Sequence, residues 1–187
     1  MTAPARSKTK IEQMDLAVAK QAGRWHDSQV VRALGKVSEL ADQPQLYALC
    51  WATIGLGLVR GNGKLARTGA RMLAAEWLAT QAKSAIKHRV DRTRPKVPVE
   101  GGDYRMEKGH SHEKPLNSFP SGHTAGAVAV ATAFASEYPE HRLPAFAAAA
   151  AVAAIQMPRC AHYMSDIGVG AAIGAAAGGL VARTRRS

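Results

Sequence analysis

The sequence predicts an all-α protein, a compact bundle of about five main helices preceded by amphipathic N-terminal helices and embedded in a membrane. Three observations carry the prediction. Residues 43–59, 124–136, 143–158 and 167–182 contain no Asp, Glu, Lys, Arg or His, and each run has the length of a buried helix. Pro44 and Pro144 stand near the start of two of these runs, where a first helical turn accepts proline because the missing N–H has no intrahelical partner there. No segment alternates apolar and polar residues as a half-buried strand does.

Taken in order, residues 1–10 are basic and polar and read as a disordered tail, and residues 183–187 read as a basic tail at the other end. Residues 11–182 read as one helical domain, since 187 residues suffice for one substantial core and fall short of two ordinary ones. Apolar residues recur at Ile11, Met14 and Val18, and again at Val30, Val31, Leu34, Val37 and Ala41. This is helical spacing with polar opposite faces. Asp27 and Ser28 are candidate caps between the two helices, which either lie on a membrane surface or pack on the bundle. A longer amphipathic helix is expected over 64–88, where Leu65, Met72, Leu73, Trp77 and Ala85 are interleaved with Arg67, Arg71, Glu76 and Lys83. Residues 89–117 are rich in Gly, Pro, His and charge and read as one long loop; a loop of that length inside a compact domain is usually functional.

Crossing a bilayer core takes roughly 20 helical residues, and the four uncharged runs are shorter. The membrane reading rests on Gly170, Gly174 and Gly178, one every four residues along one face of the last helix. Each costs a soluble helix about 1 kcal/mol relative to Ala, whereas in lipid it lets a neighbouring helix approach closely. Apolar residues make up 47% of the chain but aromatics only 5%, so the core must be built from Ala, Val, Leu and Gly. A net charge of +11 and a pI near 10.1 point to an anionic partner: nucleic acid, an acidic membrane surface or a phosphorylated substrate. Cys50 and Cys160 stand alone, without the spacing of a zinc site or disulfide framework. The N-terminus lacks the apolar core of a signal peptide, so export as a soluble protein is not expected.

Three clusters at helix ends carry the chemistry. KHRVDRTRP, from Lys87 to Pro95, leads five cationic side chains between Lys87 and Lys96, a density of like charge that an anion would relieve. A solvated loop or a nucleic-acid patch explains this cluster equally well by itself. Pro120, Ser121, Gly122 and His123 stand where a helix begins, with unpaired N–H groups that suit an anion and a histidine suited to proton transfer. Taken alone, Ser121 could simply cap the helix. RCAHYMSD holds Arg159, His162 and Asp166. If His162 and Asp166 share a helix face, the carboxylate can accept a hydrogen bond from one ring nitrogen and leave the other to attack. An isolated pair of this kind also serves as a structural hydrogen bond.

Together and in this order, the clusters resemble the signature motifs of the type 2 phosphatidic acid phosphatase superfamily, which includes lipid phosphate phosphatases, class A acid phosphatases and vanadium haloperoxidases. The first motif, Lys, six residues, Arg-Pro, is met by Lys87, Arg94 and Pro95, and the second, Pro-Ser-Gly-His, by Pro120 to His123. The third is Ser-Arg, five residues, His, three residues, Asp. It is met by His162 and Asp166, but Ile155 and Gln156 stand where its Ser and Arg belong. Arg159, nearer His162, is the expected substitute.

The resemblance implies a helical bundle with the site at one end. Lys87, Arg94 and Arg159 would bind phosphate, Ser121 and the Gly122 N–H would donate to it, His162 would attack phosphorus with Asp166 behind it, and His123 would protonate the leaving group. No metal or cofactor is implied. A lipid phosphate or diphosphate is the expected substrate, either phosphatidate, phosphatidylglycerol phosphate or a polyprenyl diphosphate, at the inner membrane of a bacterial-type cell and with no nucleic-acid partner. A vanadate-dependent haloperoxidase or a soluble acid phosphatase on the same scaffold is the alternative. A basic nucleic-acid-binding helical protein is the rival from another class; it would explain the pI but leave PSGH and the His/Asp pair without purpose. His110, His112 and Glu113 in GHSHE read as solvated loop residues rather than metal ligands.

Overall fold

A computed structural model of the protein describes residues 7–109, 111 and 113–184. The chain runs through α1 (Lys10–Ala22), α2 (Gln29–Ser38), α3 (Gln43–Val59), α4 (Gly63–Lys87), β1 (Val90–Arg92), the short α5 (Lys96–Val99), β2 (Met106–Lys108), α6 (Gly122–Glu137), α7 (Arg142–Ile155) and α8 (Met164–Arg183). The all-α class is observed. Thr9 opens α1 with a capping box, its hydroxyl accepting from the Glu12 N–H and its own N–H donating to the Glu12 carboxylate. Ser28 caps α2 through the Val31 N–H, whereas Asp27 makes no cap. Residues 1–6 and 185–187 of the two expected tails lie outside the described residues.

Helix α6 is central, packed on α8, α4, α7 and α3. Small residues make that possible. A Cβ on Gly170, Gly174 or Gly178 would fall 2.6 Å from the Ser121 carbonyl oxygen, 2.4 Å from that of Ala125 and 2.5 Å from the Thr132 Cβ. The glycine stripe is thus the contact face of α8 on α6. Glycines act likewise between α3 and α4, where a Cβ on Gly57 would lie 2.3 Å from the Ala66 backbone nitrogen. The core itself is largely alanine, with Ala75, Ala79, Ala129 and Ala133 buried around Leu46 and Met72.

Three local expectations are corrected. The 89–117 loop contains an antiparallel hairpin, with Val90 opposite Lys108 and Arg92 opposite Met106, and the one-turn helix α5. Strands of three residues are too short for alternation to register. Helix α7 stops at Ile155, before the end of its uncharged run, because Pro158 has no N–H to continue the ladder and disfavours helical geometry at Met157. Finally, α8 begins at Met164, so His162 precedes the helix that carries Asp166 and the two do not share a helical face.

The alternating directions of α3, α4, α6, α7 and α8 bring the three sequence clusters to one end of the bundle. At the other end Arg71 and Arg67 hold the buried Glu137 carboxylate at 2.5 and 3.6 Å.

Candidate active site

His162 sits in the turn after α7. Cys160 adopts φ +52° there, a left-handed conformation that lets the N–H groups of both Ala161 and His162 return to the Gln156 carbonyl. The imidazole is almost fully buried, and its Nδ1 lies 2.7 Å from the carbonyl oxygen of Ser118. A carbonyl can only accept, so Nδ1 carries the proton and Nε2 keeps its lone pair. Asp166 was expected to accept this hydrogen bond. Its Oδ2 is 3.8 Å away, too far for one, because that oxygen already accepts from the Ser118 hydroxyl at 2.6 Å and the Tyr163 N–H at 2.9 Å. Asp166 acts on His162 as a nearby charge and as the anchor of Ser118. Burial pushes the His162 pKa below its ordinary value, with Arg94 and Lys87 adding to the effect and Asp166 opposing it.

His123, in the first turn of α6, faces His162 with ring centroids 6.5 Å apart. Its Nε2 lies 2.7 Å from Asp42 Oδ1, at ion-pair distance but out of hydrogen-bond alignment. Ser121 is fully buried as the N-cap of α6, its oxygen accepting from the Thr124 N–H at 3.4 Å and lying 3.0 Å from the Thr124 hydroxyl. Its backbone N–H donates to the Asp166 carbonyl. Gly122 occupies the first helical position, where a Cβ would meet Lys83 Nζ at 3.2 Å.

The cations converge on the same space. Lys87 ends α4 within the fields of Arg94, Lys83 and Asp166. Arg94 makes one long hydrogen bond, to the Asn117 carbonyl at 3.5 Å, and its buried Nε has no partner among the described residues. Burial and the neighbouring Arg159 guanidinium hold the Arg94 pKa below the usual arginine range. A half-satisfied buried guanidinium beside other cations is a costly arrangement that an anion would complete. Arg159 stands at the rim, donating to the Ser38 hydroxyl at 2.6 Å and to Glu39 at 3.2 Å. Gln156 is fully buried, and its amide donates to the Val152 carbonyl.

The structure therefore brings Lys87, Arg94, Ser121, Gly122, His123, Arg159, His162 and Asp166 together. It also adds residues that sequence reasoning missed. Lys83 lies one turn before Lys87 on the same face, a spacing visible in the sequence. Asp42 and Ser118 carried no signal. Arg92 stood within the first cationic cluster but nothing distinguished it from its neighbours. His110 and His112 lie outside the described residues.

The sequence matches the PAP2 superfamily over residues 68–186, and no curated protein matches it. In fold it is similar to a transmembrane PAP2-type phosphatidylglycerolphosphate phosphatase from Bacillus subtilis, at TM-score 0.69 and 19% identity over 96% of this chain and 88% of that one. It is similar also to Aquifex aeolicus LpxE, at TM-score 0.68 and 19% identity over 98% of this chain and 99% of that one. With all three motif clusters inside the matched residues and gathered at one end of a helical bundle, the chain belongs to the PAP2 superfamily.

Proposed function

We propose that the protein is a membrane phosphatase that hydrolyses a lipid phosphate or diphosphate through a phosphohistidine at His162. The family match, taken with the phosphatases it resembles in fold, supports a phosphoric ester hydrolase. The observation that carries the mechanism is the facing pair His162 and His123, 6.5 Å apart, with the unpaired Arg94 Nε beside them. The fields of Arg94 reach both imidazoles, which marks the space they face as a site for an anionic phosphoryl group. Nε2 of His162 attacks phosphorus, an N–P bond forms as the P–O bond to the leaving group breaks, and His123 gives its proton to the departing oxygen. Burial lowers the His123 pKa to about 4, and Asp42 and the bound phosphate dianion oppose that shift and hold the proton on the ring. Water then attacks the phosphohistidine, the P–N bond breaks, and His123 takes the water's proton. Lys87, Arg94, Arg159 and the first N–H groups of α6 stabilise the phosphoryl oxygens, where charge accumulates.

A lipid substrate is supported by an apolar cleft of about 740 Å³ between α2, α3, α6 and α7. Ser38 and Ala41 line it, and Asp42, the next residue, is the one whose carboxylate touches His123. A phosphate held at the histidines has a hydrocarbon-sized space beside it. Helix α8, at 20 residues, is long and apolar enough to cross a membrane.

The test is phosphate release from phosphatidate, phosphatidylglycerol phosphate and a polyprenyl diphosphate in mixed micelles, alongside a short water-soluble phosphomonoester. At least one lipid should be turned over well above the soluble ester, and His162→Ala should lower kcat about 10³-fold or more. In the same assay Arg159→Ala should lose about tenfold or more if it contacts phosphate. Full turnover by His162→Ala would remove the mechanism.

A further inference from the structure

Arg92 is one of the most deeply buried side chains in the protein, only 1% exposed. Its guanidinium joins two carboxylates from distant parts of the chain. Nη2 donates to Asp15 Oδ2 at 2.7 Å, and Nη1 donates to the Ser165 hydroxyl at 2.8 Å and to Asp166 Oδ1. The guanidinium carbon lies 4.2 Å from the centre of the Tyr163 ring. Asp15, on α1, also accepts from the Ser165 N–H at 3.1 Å and from its hydroxyl. Tyr104 accepts from Arg92 Nε at 3.3 Å and passes a hydrogen bond on to Glu12, again on α1.

We propose that Asp15 and Arg92 are positioning residues of the phosphoryl-transfer site, with α1 holding Arg92 through Asp15 and Arg92 holding the Asp166 carboxylate behind His162. The proposal rests on the phosphatase reading for its catalytic consequence, and Asp15 lies outside the matched residues 68–186. The physical ground is the order of charges. Asp15, Arg92 and Asp166 are all nearly inaccessible to water and alternate in sign, leaving one net negative charge next to a neutral imidazole. Once His162 carries a phosphoryl group on Nε2 and keeps its Nδ1 proton, the imidazole becomes cationic and the alternation is complete. A strut that merely tied α1 to the bundle would not need to end on the carboxylate that anchors Ser118 and faces the nucleophile. Because Asp15 shares the guanidinium, Arg92 does not fully neutralise Asp166.

This fixes an order that disruption alone would not produce. Removing the Asp15 charge leaves Arg92 to act on Asp166 alone, which disfavours a cationic His162. Removing Arg92 leaves two unneutralised carboxylates and favours it. Arg94, Lys87 and His123 also face His162 and are unchanged in every variant.

The experiment is an NMR titration of the His162 imidazole in the full-length protein in detergent micelles, assigned with His162→Gln and needing no substrate. The His162 pKa should rise in the order Asp15→Asn, wild type, the double variant Asp15→Asn/Arg92→Gln, and Arg92→Gln. If Asp15→Asn does not fold, the double variant against Arg92→Gln isolates the same charge, and the double variant should titrate lower. In lipid-phosphate hydrolysis, Asp15→Asn should lower kcat about 10–100-fold with KM little changed. Identical titration in all four proteins, Asp15→Asn titrating at or above wild type, or the double variant titrating at or above Arg92→Gln would overturn the proposal. Wild-type protein that releases no phosphate while the order holds would remove the phosphatase reading and leave the network standing.

Discussion

His162 shows how far one residue's chemistry depends on what surrounds it. The nitrogen left with a lone pair is selected by a backbone carbonyl, that of Ser118, and the nearest carboxylate, Asp166, lies 3.8 Å away without a hydrogen bond. Burial lowers its pKa from 6.5, which sets a pH dependence. Only the neutral imidazole attacks, and protonation as the pH falls removes it. A folded-state pKa below 6.5 therefore moves that loss to more acidic solution. In the proposed mechanism the acid limb of kcat/KM, measured with a substrate whose phosphate does not titrate in that range, should lie below pH 6.5; a limb at or above that value would count against attack by a buried His162. The residues that gather at this end of the bundle were legible, because Lys87, Arg94, His123, His162 and Asp166 occur at the spacings of the family's motifs. The partners of Asp166 were not, since the choice between an imidazole, a hydroxyl and an arginine depends on which arrives within 3 Å.

At the scale of elements, the contact between α6 and α8 sets the geometry of the site. Ser121 and His123 ride on the first turn of one helix and Asp166 on the first turn of the other, and the Ser121 N–H bonds directly to the Asp166 carbonyl. Glycine keeps the two backbones at that distance. Gly174→Val would drive a branched side chain into the Ala125 carbonyl, 2.4 Å from its first carbon, and should cost about 1–3 kcal/mol or more. A drop in Tm together with reduced turnover is expected. Gly168→Ala on the same helix, where nothing lies within 4 Å, should leave both unchanged or raise Tm slightly. Equal behaviour of the two variants would mean that the stripe is not a contact. The stripe was legible as a period of four. Which helix it met was not, because Ala-rich faces of α4, α6 and α7 offer equally small partners.

Across the whole molecule, the two ends of the main bundle carry charged clusters and several large apolar side chains on its helices are exposed. One end holds the cationic site, and the other pairs Arg67 and Arg71 with Glu137. On α3, α4 and α7, Leu49, Trp51, Leu56, Trp77 and Phe146 are each more than 40% exposed. Apolar surface of this extent on a water-soluble monomer would be a liability. In lipid it is the natural solvent-facing layer. The protein should remain with the membrane fraction after alkaline carbonate washing and require detergent for release, and recovery in the wash would count against a membrane-embedded fold.

The sequence alone determined the helical class, most helix boundaries and the family whose motifs the chain carries, because these follow from local composition, proline chemistry and short spacings. Tertiary structure decided what those residues touch. Arg92 meets Asp15 across 77 positions and Asp166 across 74, and Arg159 is drawn to Ser38 and Glu39 at the rim. On α1, nothing in the spacing singles out Asp15, and docking of that helix makes it a buried carboxylate. Burial is a property of the assembled bundle, and with it come the desolvation and the strengthened fields that turn an ordinary Asp, Arg and His into one connected charge system.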